Sequence, residues 1–299
     1  MAEPRRASAA RVVAQAKINL ALRILARETS GYHQLETVFQ RLELGDVVTV
    51  RVTAGGREID CRGADVGPPE RNLAYRAAVA FQERTGWPRG FAIDVEKRIP
   101  VGGGLGGGSA DAGAVLRALN ALAPEPLAAE ELLALATPLG ADVPFLTGHA
   151  VLAMAWGRGE RMLALPPLPA RDVVLWPSAE GVSTADAYGW LAAERGDYVP
   201  TARQWLASDF ASWDRVAREA ENDFERVVPQ RVAAIGANLG TLRILQRDAE
   251  DRGFALLAGS GATVFALTDG RTRLLPLVAT PGLLTTRTAE RVAAVEVLD

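Results

Sequence analysis

The run Pro100-Val101-Gly102-Gly103-Gly104-Leu105-Gly106-Gly107-Gly108-Ser109-Ala110-Asp111 places six glycines in seven residues. A backbone this bare closes its N–H groups around a polyanion without Cβ clashes. Residues 109–122 then read as a helix, with Val115, Leu116, Leu119 and Leu122 on one stripe. A glycine loop that feeds a helix N-terminus brings orphan N–H groups and the positive dipole end to one spot. The stretch reads as a phosphate-binding loop.

The kind of loop is narrowed by its neighbours. A P-loop carries Lys before its hydroxyl residue, and here Gly108 precedes Ser109. The dinucleotide pattern fits formally at Gly102, Gly104 and Gly107. That fingerprint follows directly on a strand, however, and Lys97, Arg98 and Pro100 separate the glycines from the strand-like Phe91-Ala92-Ile93-Asp94-Val95. The glycines alone point to phosphate without choosing the ligand.

Around this loop lie 299 residues, enough for one large domain or two of ordinary size. Charged residues make up 23 % and hydrophobic ones 48 %, a globular composition. A formal net charge of −3 argues against bulk nucleic-acid affinity. The single cysteine, Cys61, excludes an internal disulfide and suits a reducing cytoplasm. The first residues lack an apolar segment of signal-peptide type, and no apolar run is long enough to span a bilayer. The expectation is a soluble cytoplasmic enzyme.

Residues 12–25 alternate, with Ala16, Ile18, Leu20 and Leu22 pointing one way and Gln15, Lys17, Asn19 and Ala21 the other. Lys17 and Asn19 thus stand side by side, on what the pattern alone makes a solvated face. Ser30-Gly31-Tyr32-His33 reads as a turn, followed by a strand through Phe39 and a separate one over 47–52. Leu73, Ala77, Ala80 and Phe81 predict a helix over 72–85, and a short second helix is expected over 127–139. Gly140-Ala141-Asp142-Val143-Pro144-Phe145 holds an acid where Asp ordinarily serves as a turn or cap residue. Gly157-Arg158-Gly159-Glu160 marks another turn.

Pro166, Pro167 and Pro169 form the linker candidate that separates 1–165 from 166–299. Beyond it, a strand over 172–176 and helices between 184 and 252 precede a strand–turn–strand through Gly259-Ser260-Gly261. A last strand is expected over 292–298. Strands and helices mix without strict alternation, which predicts an α+β fold rather than a doubly wound parallel sheet.

Three segments now stand in order: Ala16-Lys17-Ile18-Asn19-Leu20, the glycine loop, and Ala258-Gly259-Ser260-Gly261. They resemble the three motifs of the GHMP small-molecule kinases. Gly31-Tyr32-His33 and the segment around Asp142 resemble the branch of that superfamily that acts on a cytidine-diphosphate-linked methylerythritol. The resemblance runs through essentially the whole chain and is clearest over 16–160. It implies a two-domain fold with the active site in the interdomain cleft. The N-terminal domain, 1–165, would carry the glycine loop, and 166–299 would form the C-terminal domain.

It further implies transfer of the γ-phosphate of ATP, with Mg²⁺, to the 2-hydroxyl of that substrate, in the non-mevalonate route to isoprenoid precursors. The partners are then ATP and a nucleotide-linked small molecule, with neither nucleic acid nor membrane; monomer and homodimer both stay open. By the same resemblance Asp142 takes the position of the catalytic carboxylate and Lys17 that of the lysine beside it. Tyr32 and His33 match the cytosine-recognising pair, and Asn19 lies on the substrate side. Thr184 and Tyr188 approach the same nucleotide, with Tyr188 stacking across the base from Tyr32. ATP falls to Pro100, Val101, the six glycines, Leu105, Ser109 and Ala110, with Ser109 reaching a phosphate oxygen or Mg²⁺. Lys97 either lies beside the nucleotide or is a surface lysine at a strand end.

The chemistry agrees with these positions. Phosphoryl transfer through a loose transition state needs positioning and charge stabilisation more than covalent help. A carboxylate beside the attacking hydroxyl takes its proton or orients it, and a lysine next to the carboxylate stabilises charge on the oxygen. His33 suits the donor–acceptor edge of cytosine, and Tyr32 supplies a stacking face. Asp111 reads as a first-turn acid serving the helix dipole. Asn72 and Asn120 are candidates for the adenosine side, and Asn222 reads as a helix cap. Ser30, Ala258 and His149 depart from the family pattern without removing a residue given a chemical role. The rival readings are another GHMP kinase acting on homoserine, mevalonate or a sugar, a nicotinamide-dependent oxidoreductase, and a catalytically silent binding module.

Overall fold

A computed structural model describes residues 8–28, 33–65, 67–196, 204–269 and 282–298. Its first half is an antiparallel scaffold started by two long strands, β1 (Ala9–Arg27) and β2 (His33–Thr53), paired along most of their length. The two strands expected on either side of 40–46 are one. The segment stays extended because β1 pairs across it, Lys17 with Arg41 and Gln15 with Gly45, and Leu42 bridges to Thr288 on its other side. β3 (Arg57–Arg62) and β4 (Gly90–Glu96) extend the sheet beyond the second half of β2, while β5 (Leu152–Gly157) and β6 (Arg161–Leu165) extend it beyond the first. The expected turn at Ser30, Gly31 and Tyr32 lies outside the described residues.

Two helices cover this sheet. α1 (Leu73–Thr85) is capped by the Asn72 side chain, which accepts from Ala74 N, and α2 (Gly107–Leu122) follows the glycine loop. The stripe Val115, Leu116, Leu119 and Leu122 is buried with Ile18, Leu20, Val50, Phe81 and Phe91 in one core. α2 begins at Gly107, two residues earlier than the pattern indicates, so Ser109 lies in its first turn. α3 (Ala129–Ala136) and the short α4 (Val143–Thr147) complete this half, with the expected second helix shortened because its last residues, Thr137–Leu139, tighten into a 3₁₀ turn at Pro138.

A second sheet starts after the proline cluster, with β7 (Asp172–Pro177). α5 (Thr184–Arg195), α6 (Trp213–Glu219), the two-residue β8 (Glu221–Asn222), α7 (Val228–Arg231) and α8 (Ala233–Asp248) follow. β9 (Phe254–Leu257), β10 (Thr263–Leu267) and β11 (Leu284–Arg287) then complete the sheet in the order β11-β7-β10-β9. α8 sets Ile235, Leu239 and Leu242 against Leu257, Val264 and Ala266 in a second core. β8 and β12 (Val295–Leu298) both pair with β1, so the chain returns to the first sheet twice. Two sheets with helices packed on them, mostly antiparallel, make the α+β fold that the mixed pattern predicts.

Candidate active site

Lys17 and Asn19 sit where the β1–β2 ladder is irregular, with register shifts between Gln15 and Lys17 and between Asn19 and Ala21. Bulges re-aim side chains, and these two line the cleft while being only 4 % and 2 % exposed. The solvated face expected from alternation alone is therefore wrong; loop and helix cover both faces of the strand. Lys17 Nζ donates to Asn19 Oδ1 at 2.9 Å and lies 3.2 Å from Asp142 Oδ2. Asn19 Nδ2 donates to Thr37 Oγ1, which donates to Ala21 O, both at 2.7 Å. Lys17 N donates to Leu105 O at 2.9 Å, so the strand that carries the lysine is tied to the glycine loop.

Asp142 precedes α4, yet its side chain makes no capping bond; it faces Lys17 instead. The C-terminal end of α4 is held by Arg41, a fully buried cation that sequence reasoning missed. It donates to Phe145 O at 2.6 Å, Gly148 O at 2.9 Å and Ala150 O at 3.0 Å. Burial, and then the charge of Arg117, push its pKa down to about 9.

The glycine loop runs along the same cleft. Gly104 has φ +75°, and a Cβ there would lie 2.0 Å from Ala258 O, so both backbone conformation and space demand glycine. Ala262 N and Thr263 N donate to Gly102 O and Gly103 O at 3.3 and 3.2 Å, which sews the loop to the Gly259-Ser260-Gly261 turn. Gly106, the N-cap of α2, has no side chain to cap it, which leaves the first N–H groups of the helix for an anion. Pro100, Val101, all six glycines, Leu105 and Ser109 line the cavity; Ala110 does not, being buried in the core.

Lys97 also lines this cavity beside the glycine loop, so it is not the surface lysine of the second reading. It is buried, with Nζ 2.5 Å from Asp46 Oδ2 and 2.7 Å from Asp111 Oδ2. Asp46 accepts further bonds from Arg98 N at 2.6 Å and Ile99 N at 2.8 Å. Burial opposes the charge on Lys97, yet the Asp111 and Asp46 carboxylates outweigh it and raise the lysine pKa. Asp111 is pushed up to about 7, chiefly by burial and then by the charge of Asp46, against the pull of Lys97. Asp111 is thus a buried ion-pair partner rather than a helix-dipole acid, because α2 starts early enough to leave it beyond the first turn. An acid at Asp46 inside the apolar run of β2 is the signal that was there to read.

A second cavity opens beside the first. His33 and Tyr188 stack in it with ring centroids 4.3 Å apart and planes at 19°, and Tyr188 meets Phe224 edge-on at 5.0 Å. Tyr188 therefore stacks here on His33, the residue expected to read the base edge; Tyr32, expected on its other side, lies outside the described residues. Burial, with Asp142 adding to it, raises the Tyr188 phenol to about 12. Thr184 lines both cavities, and its Oγ1 lies 3.2 Å from Ser260 Oγ. Asn72 lines the inner cavity while capping α1. Asn120 spends its amide on Leu127 N and O, and Asn222 caps Phe224 N while donating to Leu257 O and Gly259 O; neither lines the cleft.

A glycine loop at a helix N-terminus, clamped between two sheets and facing a lysine–carboxylate pair, belongs to a known class. Residues 72–155 match the sequence profile of the GHMP kinases N terminal domain. A homoserine kinase from Cytophaga hutchinsonii superposes with a TM-score of 0.70 at 17 % identity over the whole of both chains, a likeness of fold. The chain has the fold of the GHMP kinases.

Closer relatives narrow the class. The 4-diphosphocytidyl-2-C-methyl-D-erythritol kinase of Moorella thermoacetica is 39 % identical over 265 residues, 87 % of this chain and 90 % of its own. That of Desulfotalea psychrophila is 36 % identical over 259 residues, 85 % and 84 % of the two chains. The crystal structure of a 4-(cytidine 5′-diphospho)-2C-methyl-D-erythritol kinase superposes with a TM-score of 0.73 at 34 % identity, covering 93 % of this chain and 98 % of the other. The chain belongs to the 4-diphosphocytidyl-2-C-methyl-D-erythritol kinase family.

Proposed function

We propose that this chain phosphorylates the 2-hydroxyl of 4-diphosphocytidyl-2-C-methyl-D-erythritol from ATP, releasing the 2-phosphate and ADP. One observation carries the reading: the Lys17–Asp142 pair lies in one cleft with the glycine loop on one side and the His33–Tyr188 rings on the other. A donor phosphate and a base-bearing acceptor would meet at that pair.

The N–H groups of residues 100–109 and the α2 N-terminus hold the phosphates of ATP, where the helix dipole favours negative charge. Asp142 accepts or orients the proton of the attacking hydroxyl. Lys17, fixed by Asn19, compensates charge on that oxygen in a site that is largely out of water. His33 reads the cytosine edge; Tyr188, Thr184 and Tyr32 hold the nucleotide around it. Lys97 supports the nucleotide side through Asp46 and Asp111 rather than from the surface.

The donor chemistry fits Mg²⁺ carried in by the nucleotide. Ser109 offers a hydroxyl at the cleft, and among the described residues no group of three His, Cys, Asp or Glu side chains could hold a metal. Bound there by phosphates and Ser109, Mg²⁺ would neutralise charge on the transferred group. Residues 1–165 and 166–299 are the two domains of this reading, with the proline cluster as their junction. The chain works in the cytoplasm, and no described helix is long and apolar enough to cross a membrane.

The test is ADP release with Mg-ATP and the cytidine-linked substrate beside homoserine, mevalonate and galactose. Turnover with the cytidine compound alone is expected. Turnover with another alcohol would retain the kinase class and discard the roles given to Tyr32, His33 and Tyr188.

A further inference from the structure

Resting on that reading, we propose that Arg158 binds the diphosphate bridge of the substrate, between the hydroxyl at Asp142 and the base at His33 and Tyr188. The cleft has an inner cavity of about 490 Å³, lined by Lys17, Asp142 and the glycine loop. Its outer cavity, about 1180 Å³, is lined by His33, Tyr188 and the residues just before Asp142. Among the described lining residues, Lys17, Arg71 and Lys97 face only the inner cavity and Arg76 only the outer; Arg158 lines both. A substrate whose base lies in one cavity and whose reacting alcohol lies in the other carries its two phosphates past that junction. Burying this much anionic charge demands a cation there.

The backbone of Arg158 is fixed and its side chain is not buried. Gly159, at φ +110°, comes so close to the neighbouring loop that a Cβ would lie 2.9 Å from Ala141 O. Glu160 Oε2 accepts from Arg158 N at 2.6 Å. The turn is thereby docked on the residue next to Asp142. The Arg158 side chain is 44 % exposed, and its fork grips Glu28: Nη2 to Oε2 at 2.5 Å and Nε to Oε1 at 3.4 Å. A guanidinium that presents two donors to a carboxylate presents the same two to a phosphate. Substrate binding exchanges the Glu28 carboxylate for the diphosphate.

Arg158→Met and Arg158→Lys test this with steady-state kinetics and with competitive binding of CDP and of cytidine. Arg158→Met is expected to raise KM for the cytidine-linked substrate by roughly 10- to 100-fold, with kcat and KM for ATP within about threefold. CDP binding should weaken by the same factor while cytidine binding stays unchanged; Arg158→Lys, a point charge without the fork, should fall between. An unchanged KM, or equal losses for CDP and cytidine, would overturn the proposal, the latter because a merely structural residue would damage both alike. If the wild type turns over no cytidine-linked substrate yet binds CDP more tightly than cytidine through Arg158, the diphosphate site stands and the assigned reaction falls.

Discussion

The cleft contains two lysine–carboxylate clusters built from the same residue types and closed to different degrees. Around Lys97 everything is shut: the side chains of Lys97, Asp46 and Asp111 are 4 %, 0 % and 6 % exposed. Around Lys17 one member is left open, since the Asp142 side chain is 27 % exposed while that of Lys17 is 5 %. A sealed cluster fixes backbone, because buried charges without partners are costly and hold their partners tightly. A carboxylate with an accessible edge is free to meet a substrate hydroxyl. On the reading proposed above, the closed cluster holds structure and the open one does the chemistry, and each substitution below tests that division.

The largest effect should come from Asp142→Asn: kcat falls roughly 10³-fold, about 4 kcal/mol on the barrier, with little change in urea stability. Residual turnover within tenfold of wild type would erase the contrast. Asp46→Ala should do the reverse, lowering stability by about 3–5 kcal/mol, because it removes one of the two carboxylates paired with Lys97 and leaves the N–H groups of Arg98 and Ile99 without their acceptor. Urea denaturation measures this, and a loss under 1 kcal/mol would show that the closed cluster is not structural.

Next comes pH. Asp111 is raised to about 7 from an ordinary 3.8, so between those values the folded state holds a proton that the unfolded chain has released. Stability contributed at low pH is lost as pH rises through this window, by up to about 1.4 kcal/mol per unit. Wild type minus Asp111→Asn stability, measured between pH 4.5 and 7, should decline along that slope; a flat or rising difference contradicts the shift. The smallest effect is expected from Thr37→Val, which removes the acceptor of Asn19 and the donor to Ala21 O. Stability should drop by about 1 kcal/mol and kcat three- to tenfold, separable by pairing denaturation with initial rates. A fall confined to stability would detach Thr37 from the open cluster.

The elements that local pattern controls were legible. The glycine loop, the apolar stripe of α2, the strand that carries Lys17 and Asn19, and the strands either side of Gly259-Ser260-Gly261 all stand where spacing puts them. The helix starts and ends moved by a few residues, and the break between two strands vanished because β1 pairs with β2 across it. The roles of Asp111 and Lys97 were not legible, since both depend on Asp46, which lies 51 residues before Lys97 in the chain and further still from Asp111.

From the sequence alone came a phosphate loop at a helix N-terminus, an α+β class, and Lys17, Asn19 and Asp142 as candidates. The loop and the fold class follow from backbone freedom and periodicity, which are local properties; the three candidates came from the resemblance to the GHMP kinases, since pattern alone made Lys17 and Asn19 a solvated face and Asp142 a turn acid. Tertiary structure decided which carboxylate each lysine meets, which of those groups stays open to the cleft, and that Arg158 stands at the junction of its two cavities. Burial and charge pairing depend on segments distant in the chain, and only packing brings them within reach.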